Sequence, residues 1–314
     1  MNISLIQVLK KALTMMLILF GLTSMSQNTM EHIMLLSDSI INDYSNENKL
    51  KHNQLLIKLI DTELNRNSDK IQAFDSSGLI IELISKSKDL QILTWAIPFD
   101  NHWEYFGFIK AYNTIKKEFS TFELIPTNFI KSTLEKGIYN QNNWPAGIYY
   151  KLIETEYKKR NYYTLIGWLA NTKQTAYKFL EVLTVSKSGK ISFGKSSYFS
   201  LEKEYKNRIV YSYNYKSKFQ LDYGEFNYTK RQWNRKKKRY DIIVYTDNLL
   251  VFDRLIPLYP DIKDRPEFMV AAGNTVDAFI FEKGKWRLLK DVDARNNKIK
   301  NKKLDRPKQN LLPD

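Results

Sequence analysis

Gln91-Ile-Leu-Thr-Trp-Ala-Ile97 carries apolar side chains on both sides of an extended chain: Leu93, Trp95 and Ile97 alternate with Ile92 and Ala96. Successive side chains of a strand point to opposite faces, so such a strand is covered twice. Tyr162 to Leu169 reads the same way, with Tyr163, Leu165 and Leu169 opposing Ile166 and Trp168. Sheets buried on both faces imply stacked layers.

Working outward, short β-rich runs fill the chain from about Ile71 to Val292. Before Gln91 lies Leu79 to Ser85; after Ile97 come Glu104 to Tyr112, Thr121 to Ile125, Ile148 to Glu156, Tyr177 to Ser186 and Ile191 to Phe193. Arg208 to Tyr215, Phe219 to Phe226, Asp241 to Tyr245, Leu249 to Phe252, Ala278 to Glu282 and Trp286 to Asp291 complete the series. Turn chemistry separates several of them at Lys158 to Asn161, Lys187 to Lys190 and Glu282 to Lys285, and connections this short favour antiparallel hairpins. The expected fold is mainly β (α+β overall), an antiparallel multi-stranded β-sandwich or a propeller-like domain, although no clean repeat occurs at a propeller period.

Ahead of the strands, Ile33, Leu36, Ile40 and Tyr44 recur at helical spacing, Ser45 to Asn48 interrupts, and Leu55, Leu56, Leu59 and Ile60 resume it. This predicts a short N-terminal helical hairpin between Met30 and Arg66. Before it, Lys10 and Lys11, the apolar run Ala12 to Leu22 and the small residues Ser24 and Ser26 have the order of a secretory signal. The expected divisions are a signal peptide at 1–26, a helical element at 27–70, an antiparallel β domain at 71–293 and a basic disordered tail at 294–314. Cleavage near Ser26 would start the mature protein at Gln27 and place it in the periplasm or outside the cell. No later stretch has the roughly 18 apolar residues of a spanning helix, so no transmembrane span is expected in the mature protein.

The chain has no cysteine, which excludes disulfides, thiol catalysis and thiolate metal sites. Lys and Arg exceed Asp and Glu by 15, and losing Lys10 and Lys11 with the signal leaves 13. Such a surface is drawn to anionic partners.

Ser85 to Trp95, Tyr105 to Ile109, Trp144 to Lys151, Tyr162 to Trp168 and Gly284 to Asn296 together resemble a group of uncharacterised exported proteins of Bacteroidetes bacteria. The likeness spans roughly residues 70 to 296. It implies a compartment and carries no catalytic residues with it.

Gly189-Lys-Ile-Ser-Phe-Gly194-Lys195-Ser196 matches the phosphate-loop pattern letter for letter. That loop needs a helix after its lysine, and here Ile191 and Phe193 alternate as in a strand, so a turn and a strand are expected. His32, His52 and His102 lack metal-site spacing; no metal or cofactor is expected. Asp291, Asp293 and Arg295 read as charges on one strand face, pairing with one another or with Arg254.

Two segments are candidate binding features. Arg235, Lys236, Lys237, Lys238 and Arg239 are five consecutive cations, flanked by Tyr228, Trp233 and Tyr240. They must sit on a solvent loop or hairpin tip, and an anionic glycan or lipid surface is the partner such a run fits; nucleic acid is not expected outside the cytoplasm. Tyr211, Tyr213 and Tyr215, followed by Phe219, Leu221 and Tyr223, would share a face if joined in a hairpin, as an aromatic platform or as core. The reading is an exported binding or envelope-associated protein without enzymatic activity. An envelope hydrolase using unidentified Asp and Glu residues, or a peripheral binder of an anionic glycan or lipid, are the alternatives. Oligomeric state is left open by the sequence.

Overall fold

The computed structural model describes residues 29–296, apart from 67, 75–77, 128–130, 171–173, 263–264 and 293–294. The expected signal peptide, its cleavage site, Asp293 and the segment from 297 onward lie outside the described residues.

Two helices open the described chain: α1 spans 29–42 and α2 spans Asn46–Arg66. Ser45 ends the gap between them, its Oγ accepting from the Asn48 amide at 3.3 Å, the N-cap arrangement that satisfies an otherwise orphaned donor. Leu56, Ile60 and Leu64 recur along one face of α2 and are buried with Ile33 and Ile40 of α1. That face lies on a four-stranded antiparallel sheet in the order β1 (Ile81–Ile84), β2 (Leu90–Pro98), β3 (Trp103–Asn113) and β4 (Glu118–Glu123). Leu93, Trp95 and Ile97 of β2 point at the helices, and Ile92 and Ala96 point away. The Trp95 indole donates to Asn53 Oδ1 at 2.8 Å, fixing the helix layer to the strand whose alternation announced it. Lys110 of β3 donates to the Leu64 carbonyl at 2.8 Å, where a cation suits a helix C-terminus.

The far face of β2 and β3 packs on a five-stranded sheet. Its order is β11 (Ile209–Asn214), β7 (Thr175–Val185), β6 (Arg160–Ala170) and β5 (Ile148–Tyr157), with β8 (Ile191–Phe193) added beside β7. Between them, Ile92, Ala96 and Ile109 meet Tyr149, Tyr163, Leu165, Phe179 and Leu183. The opposite face of this sheet presents Ile166, Leu180 and Val182 to a third, seven-stranded sheet. That sheet runs β10 (Tyr205–Lys206), β9 (Phe199–Ser200), β15 (Lys285–Leu289), β14 (Met269–Glu282), β13 (Arg239–Pro257), β12 (Leu221–Asn234) and β16 (Arg295–Asn296). The molecule is therefore a stack of four layers, one helical and three β, and belongs to the sandwich kind rather than the propeller kind. Both doubly apolar strands sit in inner layers, as their alternation requires.

Hairpin turns fall where turn residues predicted them. Lys158 and Lys159 both have positive φ (51° and 59°), and Lys283 and Gly284 do likewise (52° and 78°), the pattern that matches the twist of two-residue hairpins. Three expectations are corrected. Asp241 to Tyr245 and Leu249 to Phe252 are one strand: the polar Thr246-Asp247-Asn248 between them is satisfied across β12, where Thr246 Oγ1 donates to Asn227 at 2.6 Å and the Tyr228 hydroxyl donates to Asp247 at 2.8 Å. The two aromatic strands around Tyr215 are not a hairpin, because β11 pairs with β7 and β12 pairs with β13, in different sheets. Residues 295 and 296, assigned to the tail, pair with Asn227 and Phe226.

Candidate functional site

β12 and β13 pair without interruption from Leu221↔Phe252 to Asn234↔Arg239. β14 accompanies β13 only from Leu249 onward, and β16 touches β12 only at Phe226 and Asn227. Beyond those points, among the described residues, the two strands continue alone as an arm, about 25 Å long at the usual rise per residue. Its tip is the cationic run. Asn234 Oδ1 accepts from the Lys236 and Lys237 amides, both at 3.1 Å, and Lys238 takes positive φ to turn the chain. Asp241 ties the base of the tip, accepting from Asn234 Nδ2 at 2.6 Å and Arg239 Nε at 3.2 Å; these bonds hold its carboxyl below the usual range. Among the described residues, Arg235, Lys236 and Lys238 form no ion pair with a carboxylate, and all five cations are exposed.

The arm's two faces differ in a way the sequence reading did not extract. Cross-strand partners share a face, so Trp233 stands with Tyr240, Arg231 with Ile242 and Thr229 with Val244. Trp233 and Tyr240 meet edge to face with centroids 5.1 Å apart. These apolar residues are the open ones: Trp233 is 48% exposed, Tyr240 64%, Ile242 68% and Val244 65%. The other face holds Asp241, Ile243, Tyr245 and Asp247, all half-buried, with Lys230 lying 5.1 Å from the Tyr228 and Tyr245 rings. The usual order of a half-buried strand, apolar inward and polar outward, is not kept: Asp241 and Asp247 share the inner face with Ile243 and Tyr245, and four large apolar side chains are left on the outer one. The signal was present as Tyr240, Ile242 and Val244 alternating with Asp241 and Tyr245, but which face meets water depends on where the neighbouring strands stop.

The aromatic candidates divide differently. Tyr211 and Tyr213 both contact Phe219, with centroids 5.1 Å apart, and Tyr211 also meets Phe252 at 5.0 Å. Tyr223 lies edge-on to the buried Trp286. They form the cement between the second and third sheets, and burial pushes the Tyr211 hydroxyl well above its ordinary pKa. Only Tyr215 is open to solvent. A flat sugar-stacking platform is therefore not assembled by these four.

The phosphate-loop lookalike is a turn followed by β8: Gly189 has φ of +76°, Ile191 to Phe193 pair with β7, and no helix follows Lys195. Lys195 nevertheless has a place, its Nζ lying 3.8 Å from the Tyr162 ring centroid. It borders a cleft of about 570 Å³ shared with Arg160, Tyr163 and Asp89. Asp89 is fully engaged there, accepting from Ser85 Oγ at 2.6 Å, Ser87 Oγ at 2.7 Å and the Tyr163 hydroxyl at 2.8 Å.

A second groove, about 300 Å³, runs beside Tyr211, with Lys206 paired to Glu135 at 2.8 Å and Arg254 paired to Asp277 and Asp291. Of the pairings expected for Asp291, the one with Arg254 is present at 2.9 Å, but Asp291 lies past the end of β15 with φ of +51° and not on a strand face. His102 stacks on Phe99 and contacts Glu104 at 3.2 Å. Among the described residues, no three His, Asp or Glu side chains come together as a metal site would require. Among the same residues, no helix is long and apolar enough to cross a membrane. No family model, curated protein or solved structure matches the chain.

Proposed function

We propose that this chain is an exported, non-enzymatic binding protein of the cell envelope that engages an anionic partner, glycan or lipid, through the arm of β12 and β13. The observation that carries the reading is the position of Arg235 to Arg239 at the end of a projecting hairpin, clear of the layered core. Cations there meet a polyanion without clashes from the rest of the molecule, and each contact releases condensed counterions. The carboxylates bordering the two clefts support a structural role for those regions, since Asp89, Glu135 and Asp277 are each taken up by hydroxyls or cations.

The test is a salt titration of binding to acidic polysaccharide and to anionic vesicles, comparing wild type with the Lys236→Gln/Lys237→Gln/Lys238→Gln variant. Wild-type affinity should fall steeply with added salt, and the variant should bind more weakly with a flatter dependence. Equal background retention of both proteins at every salt concentration would remove the reading and leave the tip as solubilising charge.

A further inference from the structure

The exposed apolar face of the arm requires an occupant that charge alone does not name. A two-stranded ribbon in water is marginally stable, and this one leaves Trp233, Tyr240, Ile242 and Val244 open along one side while, among the described residues, its outer edges are unpaired on the tip side of Leu249 and Asn227. Contiguous open apolar residues rimmed by polar ones mark a contact surface. A glycan would use the cations and stack on an aromatic, but it has nothing to offer Ile242 and Val244. A bilayer of anionic lipids offers both chemistries in the right order. Headgroup phosphates meet the cations of the tip, and the boundary between headgroups and acyl chains takes Trp and Tyr rings with aliphatic side chains beside them.

We propose that the arm lies on an anionic membrane with Trp233, Tyr240, Ile242 and Val244 inserted at the interface and Arg235 to Arg239 held at the headgroups. This rests on the anionic-partner reading above and narrows it to lipid. The geometry is consistent along the whole arm. The inserted side chains all lie on one face by strand register, whereas Asp241 and Asp247, which a membrane would repel, are on the other. Lys230, stacked over Tyr228 and Tyr245, also lies on the face turned away from the bilayer. The polar backbone edges, which hydrocarbon would not tolerate, stay at headgroup depth because the ribbon lies flat rather than spanning.

The experiment uses the full mature chain with vesicles of phosphatidylcholine and phosphatidylglycerol, with and without brominated acyl chains, and with acidic polysaccharide in parallel. Three further proteins are compared with wild type: Trp233→Phe, Ile242→Thr/Val244→Thr and the triple Lys→Gln variant. Threonine keeps strand propensity, and all six substituted positions are exposed, so melting temperatures should agree and any loss of binding reflects the surface. Wild type should bind the anionic vesicles with tryptophan quenching by brominated chains, and Trp233→Phe should abolish that quenching, since Trp95, Trp144 and Trp286 are fully buried and the more open Trp103 and Trp168 pack edge to face on β3 and β6, in other sheets than the arm. The double threonine variant should lose at least about tenfold in vesicle affinity while its polysaccharide retention is unchanged. Vesicle binding without quenching, and unaffected by the threonines, would overturn insertion and leave the electrostatic reading intact. So would binding to polysaccharide with none to vesicles. Binding to neither would overturn both readings together.

Discussion

At the scale of single residues, the group with the largest consequence is Arg208, which is buried with Glu181 of β7 and lies over the Tyr139 ring at 5.2 Å. Its Nε donates to Glu181 at 2.5 Å and its Nη1 to the Leu134 carbonyl, so one side chain joins β7 to the end of the short helix α3 (Lys131–Leu134). Burial pushes the Glu181 carboxyl up, and the adjacent guanidinium opposes the shift. A buried pair of this kind contributes little net stability when intact, yet removing one member strands the other charge. Arg208→Met should therefore cost roughly 3–5 kcal/mol in denaturant-unfolding stability, whereas Arg208→Met/Glu181→Leu should recover most of the loss. A double variant no more stable than the single one would show that the bond to Leu134, rather than the ion pair, dominates. Nothing in the sequence pairs these residues: 27 positions separate them, and either would pass for a surface charge. The five cations of the tip were legible because no buried face could hold them, and Lys195 was legible as lying outside a phosphate loop but not as a cation stacked on Tyr162.

At the scale of elements, legibility followed how local each cause was. Helix spacing and the two-residue turns act within a few residues and fell where expected, whereas the break between the helices covers 43–45 and not Ser45 to Asn48, because Ser45 caps α2 and Asn46 to Asn48 form its first turn. The length of β13 did not, because Thr246 to Asn248 resemble a loop until β12 supplies their partners. The sheet assignment of Tyr211 and Tyr223 also depends on pairings that the local sequence does not contain. The arm's independence from the core predicts that it can be removed. Replacing residues 230–243 with Asn-Gly would close a type I′ turn on the Thr229↔Val244 pair while sparing Tyr228, which is buried in the small outer cluster with Leu249 and Ile280. The shortened protein should melt within a few degrees of wild type and lose binding to anionic partners. Failure of this deletion to fold would mean the arm directs the pairing of β12 with β13 instead of merely extending it.

At the scale of the whole molecule, three sheets and a helical layer give interior faces between layers, and aromatics fill them. Two such faces were foreseen from Gln91 to Ile97 and Tyr162 to Leu169, since each strand announced coverage on both sides. Which sheets face each other was not, because layer order is set by contacts between distant segments. One consequence of this construction is a sharp alkaline limit. Burial raises the hydroxyl pKa of Tyr105, Tyr149, Tyr150, Tyr163 and Tyr211, and of Tyr198 to about 12, through loss of solvation. For each, the unfolded chain loses its proton near pH 10 while the folded chain keeps it. The stability involved is fully present below that unfolded value and is lost as pH rises through it toward the folded one. Each such ring withdraws about 1.4 kcal/mol for every pH unit between its unfolded and folded values, so several together weigh against a typical total folding free energy of about 5–15 kcal/mol. Phenolate absorbance and near-ultraviolet circular dichroism followed together from pH 9 to about 12 should show the buried rings ionising in one steep step that coincides with loss of tertiary signal. Gradual ionisation of all 20 tyrosines around pH 10 with the tertiary signal intact would mean that water reaches the faces between the sheets, and that the layers are not packed as their burial indicates.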